Sequence, residues 1–263
     1  MLMYNLASGS TGNCSLVCSN KSKILVDIGI SLKALKQRLK DVGESVDEID
    51  AVLITHEHSD HIKGLGVLLR KFALPVYLTM GTAREIINKT SLGVINDDLF
   101  RYIKSDVEFF IKDFKIMPLK ISHDAADPVA YRINNNKKSL AVITDLGCYD
   151  DYLVKNLQGL DAILLESNHD VKILQTGNYP FELKRRILSD IGHLSNEASA
   201  EFLKKLYHIG LKNVILGHLS EENNFPELAL TNMENAMFFE ETAKKEHLKI
   251  SVAPKDSVLK TII

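Results

Sequence analysis

Thr55-His56-Glu57-His58-Ser59-Asp60-His61 places three of the chain's nine histidines within six positions. An HxHxDH pattern at that histidine frequency arises by chance on the order of once per thousand chains of this kind. Residues 51–54 before it are apolar and read as a short buried strand, so His56 and His58, two apart, leave the strand end on one side. After it Ile62, Leu65, Leu68, Leu69 and Phe72 recur at helical spacing, which puts Asp60 and His61 in the first turn of a helix. Four potential ligands therefore meet where a strand hands over to a helix. With no thiolate among them, the set suits Zn, Mn or Fe(II) at an open, catalytic position better than a closed structural zinc. A helix cap at Asp60 explains one residue and leaves three imidazoles unaccounted for.

The 263 residues are enough to bury a sizeable core, and 45% hydrophobic with 25% charged residues is ordinary for a globular protein. A formal net charge of -2 gives no global attraction to a polyanion, so a nucleic-acid substrate needs a local cationic path. Cys14, Cys18 and Cys148 are odd in number and form no CxxC pair, which fits a reducing compartment. Cys14 and Cys18 read as half-buried strand residues, with a ligand role as the alternative. No apolar run reaches the roughly 18 residues of a membrane span, and the start lacks a signal-peptide pattern, so a cytoplasmic protein with no membrane partner is expected.

Outward from the motif, residues 3–7, 15–18 and 23–28 read as strands of a meander. The first two flank Ser8-Gly9-Ser10-Thr11-Gly12-Asn13, a loop suited to an anion or to a plain hairpin. Asp27 ends the third strand, either as a support for the histidines or as a turn carboxylate. Ser31 caps a helix carrying Leu32, Leu35 and Leu39. Strands follow at 75–78, on both sides of Lys112-Asp113, at 129–133, 139–143, 161–165, 214–216 and 248–252. Helices are expected at 82–89, 149–157, 180–189, after a cap at Ser195 or Asn196, and from 226 to 247. No linker or repeat divides the chain, which predicts one α/β domain over 1–263, with two sheets inside a helical coat. Five apolar strands end in His56/His58, His123, Asp145, Glu166 and His218, and strand ends along one sheet edge converge.

This ordered set resembles the metallo-β-lactamase superfamily, whose fold is an αβ/βα sandwich of two mixed sheets flanked by helices. Ser8 to Asn13, Leu25-Val26-Asp27-Ile28-Gly29, Ser122-His123-Asp124-Ala125, Glu166-Ser167-Asn168-His169-Asp170 and Gly192-His193-Leu194-Ser195-Asn196 are similar to the YycJ/WalJ family of nuclease-like members. The resemblance implies two divalent ions (Zn, Mn or Fe), with His56, His58 and His123 on one, Asp60, His61 and His218 on the other, and Asp145 bridging. It also implies that His193 contacts the scissile phosphate or leaving oxygen, and that Glu166 orients His193. The family is regarded as 5′-to-3′ DNA exonucleases linked to mismatch repair.

Two such ions activate a water and hold a phosphate oxygen. Asp60 is then the group that orients or deprotonates the water, and His193 with Glu166 the acid. Lys184, Arg185 and Arg186 are expected either to grip phosphates or to form an ordinary helix surface. Tyr179 and Phe181 are expected to stack on a base or to pack in the core. His169 is a substrate contact or a supporting residue, and His208 and His247 are solvated residues on helices. The expected partner is nucleic acid, DNA by preference, with the oligomeric state left open. The rivals are a small-molecule hydrolase, either a cyclic phosphodiesterase or a glyoxalase II-like thioesterase, and a non-catalytic metal-binding signalling partner.

Overall fold

The computed structural model describes residues 1–238 and 247–263. In chain order its elements are β1 (Leu2–Ala7), β2 (Cys14–Cys18), β3 (Lys23–Val26), α1 (Leu32–Asp41), β4 (Ala51–Leu53), α2 (Ser59–Ile62), α3 (Leu65–Lys71), β5 (Val76–Thr79) and α4 (Met80–Asn88). Then come β6 (Phe100–Ile103), β7 (Phe109–Ile111), β8 (Phe114–Lys120), β9 (Val129–Asn134), β10 (Ser139–Ile143), α5 (Asp151–Asn156), β11 (Ala162–Glu166), α6 (Val171–Thr176) and α7 (Phe181–Ile187). The last are α8 (Asn196–Leu206), β12 (Asn213–Gly217), α9 (Pro226–Phe238), β13 (Lys249–Val252) and β14 (Leu259–Ile262). These strands form two mixed seven-stranded sheets. No helix among the described residues is long and apolar enough to cross a membrane.

The chain packs as two compact units. The first comprises Met1–Lys120, Ala125–Lys137 and Pro254–Ile262. Its sheet runs β14-β1-β2-β3-β4-β5-β6, antiparallel from β14 to β3 and parallel from β3 to β6. The antiparallel run β7-β8-β9 belongs to the same unit. Leu16, Leu25, Leu35, Leu39, Val52 and Leu68 form its core. The Ser31 hydroxyl accepts from the Ala34 N–H as predicted, which starts α1 with its Leu32, Leu35 and Leu39 face inward.

The second unit comprises Ile121–Asp124, Lys138–Ala253 and Ile263. Its strands β10, β11, β12 and β13 are all parallel neighbours in that order. Parallel strands are covered on both faces, and accordingly β10 and β11 are buried at every residue. Ser195 caps α8 through the Ala198 N–H, and Phe202, Leu203 and Leu206 carry its buried face.

Several expectations need correction. The helix expected through Phe72 is two helices parted at Lys63 and Gly64, where the Gly64 N–H leaves the helical ladder and donates to the Ile28 carbonyl at 2.9 Å. Strands β6 and β14 and helix α6 were not anticipated, and β14 rather than β13 is the final strand. The helix expected over 226–247 is described to Phe238; 239–246 lie outside the described residues, and His247 is in an exposed turn. His208 follows α8 rather than lying on it. Its Nε2 is 2.9 Å from the Leu160 carbonyl and its Nδ1 accepts from Gly210 N–H, so it pins a loop. Cys14 and Cys18 are fully buried rather than half-buried, and burial raises both thiols, Cys18 to about 12. Neutral thiols are poor ligands, so the strand reading holds.

Candidate metal centre and its histidine support

In the first unit β4 delivers Thr55 and His56, and α2 begins directly at Ser59, so the whole motif occupies one tight junction. The ring of His56 lies 4.6 Å from that of His58 and 4.2 Å from that of His61, centroid to centroid. His56 and His61 are fully buried, while Asp60 keeps partial exposure. Asp60 Oδ2 lies 3.3 Å from His61 Nε2.

Asp27 is a support for these histidines. Its Oδ2 lies 2.8 Å from His61 Nδ1 and accepts the Thr55 hydroxyl at 2.8 Å, while Oδ1 accepts the Thr55 N–H at 2.8 Å. A buried carboxylate so placed fixes the tautomer with the proton on Nδ1 and turns Nε2 toward Asp60, the usual second-layer support of a metal-binding imidazole. Asp27 achieves this with φ 60°, a left-handed conformation that Asp tolerates better than most residues. Gly29 is required behind it, since a Cβ there would fall 1.6 Å from the Asp60 carbonyl oxygen.

Asn13, missed at the sequence level, ties the glycine-rich loop to the motif. Its N–H donates to the Asp60 carbonyl at 2.7 Å, and its side-chain Nδ2 lies 3.2 Å from Asp60 Oδ2 and 3.1 Å from His61 Nε2. The loop joins β1 to the antiparallel β2, so it is also the hairpin connection. The available signal was the single amide side chain closing a Ser- and Gly-rich turn.

In the second unit, His123, Asp145, Glu166, His193 and His218 meet. Asp145 follows β10 with φ 59°, and His218 follows β12 with φ 55°. His218 Nε2 lies 3.4 Å from Asp145 Oδ1, and His123 Nε2 lies 3.8 Å from the same oxygen. His123 Nδ1 is held by the Gly192 carbonyl at 3.2 Å. The His193 ring sits between two others, with centroids 5.2 Å from both His123 and His218.

Glu166 organises this cluster. Its Oε1 lies 2.9 Å from His193 Nδ1 and 2.8 Å from His218 Nδ1, and its Oε2 accepts the N–H groups of Leu146 and Leu194. Burial pushes this carboxyl up, but the two imidazoles outweigh burial and bring it down to about 2. Asp145, Glu166, His193 and His218 present ligand atoms close enough to hold an ion. Both Glu166 oxygens are already spent on these four donors, so Glu166 serves the histidines. Metal chemistry fits both units: His61 and His218 have Nδ1 fixed by a carboxylate, with Nε2 directed toward Asp60 and Asp145 respectively.

Sequence reasoning also missed a buried amide network. Asn168 Nδ2 donates to the His218 carbonyl at 2.9 Å, Ser167 Oγ to Asn196 Oδ1 at 2.6 Å, and Asn224 Nδ2 to the Ser167 carbonyl at 2.8 Å. It holds the His218 turn in place. His169 is buried at 1% exposure beside it, and burial brings its imidazole down to about 4. Among the basic residues, Lys184 donates to the Gln175 and Gly177 carbonyls at 2.8 and 2.7 Å, and Arg185 pairs with Glu182. Arg186 pairs with Asp124, next to His123, through Nη2 at 2.9 Å and through Nε. Phe181 is 73% exposed, so its core reading is overturned.

A family model, the Beta-lactamase superfamily domain, matches residues 22–219, most of the chain. The chain belongs to the metallo-β-lactamase superfamily. Over 232 residues it is 41% identical to the exodeoxyribonuclease YycJ of Bacillus anthracis, covering 88% of this chain and 87% of that protein. It is 40% identical to the exodeoxyribonuclease WalJ of Streptococcus pneumoniae, covering 88% of this chain and 86% of that protein. These relatives make it a YycJ/WalJ-like superfamily member, a metal-dependent hydrolase. The fold is likewise that of the metallo-β-lactamase fold protein YhfI from Bacillus subtilis, with TM-score 0.73 at 17% identity over 98% of this chain and 99% of that one.

Proposed function

We propose that the chain is a dinuclear metal-dependent phosphodiesterase that degrades DNA from its 5′ end, in the service of mismatch repair. The observation that carries the phosphodiester reading is the hold of Glu166 on His193 and His218 together. On this reading Glu166 serves one imidazole that acts on the substrate, His193, and one that would bind metal, His218. In the proposed centre, carried on a single domain, His56, His58 and His123 would hold one ion, Asp60, His61 and His218 would hold the other, and Asp145 would serve both.

Divalent ions at these positions supply Lewis acidity toward a phosphate oxygen and a water of lowered pKa. Asp60 orients the attacking water and takes its proton. His193, whose Nδ1 is held by Glu166, donates a proton from Nε2 to the leaving oxygen. Arg186, fixed by Asp124, and Arg185 offer cationic contacts to the strand, while exposed Phe181 offers a face on which a base stacks. Lys184 anchors that surface through its two carbonyl bonds, and His169, too buried to reach substrate, is a supporting residue whose carbonyl accepts the Asn196 N–H. The two relatives named as exodeoxyribonucleases support this substrate class, and a cytoplasmic site of action belongs to the same proposal.

The decisive assay compares 5′-phosphorylated single-stranded DNA, RNA, bis-p-nitrophenyl phosphate and a glutathione thioester with metal-reconstituted protein. DNA shortened from its 5′ end is the expected result. Thioester turnover without nucleic-acid cleavage overturns the reading.

A further inference from the structure

Beside Asp60, within the first unit, lies a pocket of about 390 Å³ whose lining includes Ser10, Thr11, Ser59, Asp60, Lys63 and Lys89. Two lysines and four hydroxyl residues, Ser91 being the fourth, line one half-enclosed space. Asp60 is the single carboxylate among the lining residues, and it is one of the proposed metal ligands. Leu92 adds a small apolar surface, while Ile62 beneath it is fully buried.

The pocket is built rather than incidental. Its hydroxyl side is the Ser8–Asn13 loop, which Asn13 ties to Asp60 by the 2.7 Å backbone bond and the 3.2 Å side-chain bond. Its Lys89 side is fixed by donation from Nζ to the Glu57 carbonyl at 2.7 Å, inside the histidine motif. An ammonium has three donors, so this bond leaves two for a ligand. Both walls are thus registered to the residues that would bind metal.

The volume stands at the small end of ligand pockets, which span roughly 300–1,000 Å³. That is a size for about one nucleotide. Clustered lysines and hydroxyls match the oxygens of a phosphate, and a phosphomonoester, with more charge than a backbone diester, gains most from two ammonium groups.

We propose that this pocket seats the terminal nucleotide of the strand being degraded, its 5′-phosphate on Lys63 and Lys89 with the Ser10 and Thr11 hydroxyls. This rests on the nuclease reading and adds the element that makes such an enzyme start at an end. A strand seated by its last phosphate presents the next linkage to Asp60.

The test is binding of short single-stranded DNA by metal-free protein in chelator, where no turnover occurs, with 5′-phosphate, 5′-hydroxyl and 3′-phosphate ends compared. The expected result is a preference of about tenfold for the 5′-phosphate over the 5′-hydroxyl, reduced to within about twofold in Lys63→Gln. Lys63 is exposed, so the variant should melt with the wild type, and Lys63→Arg should restore the preference. Equal affinity for all ends, preference for a 3′-phosphate, or an undiminished preference in Lys63→Gln overturns the pocket assignment. Absence of DNA binding together with thioester turnover overturns both the pocket and the nuclease reading, whereas DNA cleavage blind to the terminal phosphate overturns the pocket alone.

Discussion

Glu166 Oε1 stands 2.9 Å from His193 Nδ1, and the same oxygen is also held by His218. One carboxylate therefore sets the tautomer of two imidazoles assigned different work. Glu166→Gln should disturb both. The amide places an NH₂ where Leu146 and Leu194 already donate, or else turns it toward the histidines, so a donor clash arises in either orientation. Stability should fall by on the order of 2–3 kcal/mol in chemical denaturation, and kcat by about a hundredfold or more. Retention of both would show that the carboxylate is incidental.

His193→Ala should separate chemistry from metal binding. Elemental analysis of the purified variant is expected to match the wild type, while turnover of 5′-phosphorylated single-stranded DNA, whose poor leaving oxygen needs the proton, drops by roughly 10²–10⁴. Parallel loss of metal would make His193 a ligand.

Asp27→Asn keeps a residue that accepts a left-handed backbone but removes the charge facing His61 Nδ1. Metal affinity, read by chelator competition, should weaken about 10–100-fold. Asp27→Ala should be worse in the same assay and should lower the melting temperature too, because alanine adds backbone strain at φ 60°. Identical affinities for Asp27→Asn and the wild type would reduce Asp27 to a turn residue.

The buried His169 predicts a pH dependence with a definite sign. The unfolded imidazole takes a proton below about 6.5, and the folded one only below about 4. Between these values the unfolded state carries more protons, so stability falls as pH drops through that window and levels off beneath it. The loss is on the order of a few kcal/mol. Denaturant titrations of metal-free protein at pH 4, 5 and 7 should show a shallower dependence for His169→Gln than for wild type. Parallel curves would mean that His169 charges freely in the fold.

Much of the centre was legible because ligands follow apolar runs: Val52 and Leu53 before His56, Val142 and Ile143 before Asp145, Leu164 and Leu165 before Glu166. A strand buried on both faces announces itself, and so does the polar residue that ends it. Other features depend on contacts distant in sequence. The helix breaks where the Gly64 N–H turns to the Ile28 carbonyl. Strand β6 has the burial pattern of ends in and middle out, which gives no two-residue period. Asn168 and Asn224 act by bonding remote carbonyls, and nothing in their own neighbourhoods encodes those partners. Phe181 shows the opposite limit: helical spacing marks an apolar side chain without telling whether the core or a ligand receives it.

Asp27-Ile28-Gly29 and Asp145-Leu146-Gly147 are the same tripeptide turn written twice, with φ values of 60° and 59° at the aspartates. In both, the glycine passes so close to a backbone carbonyl, that of Asp60 or Asp190, that no side chain fits. One copy props a histidine and the other is assigned to the metals, so a single backbone device serves two vocations. A saturation library at either aspartate should therefore return a short alphabet, Asp with Asn or Gly behind it. Any new chemistry acquired by this scaffold would have to enter through the neighbouring strand ends instead.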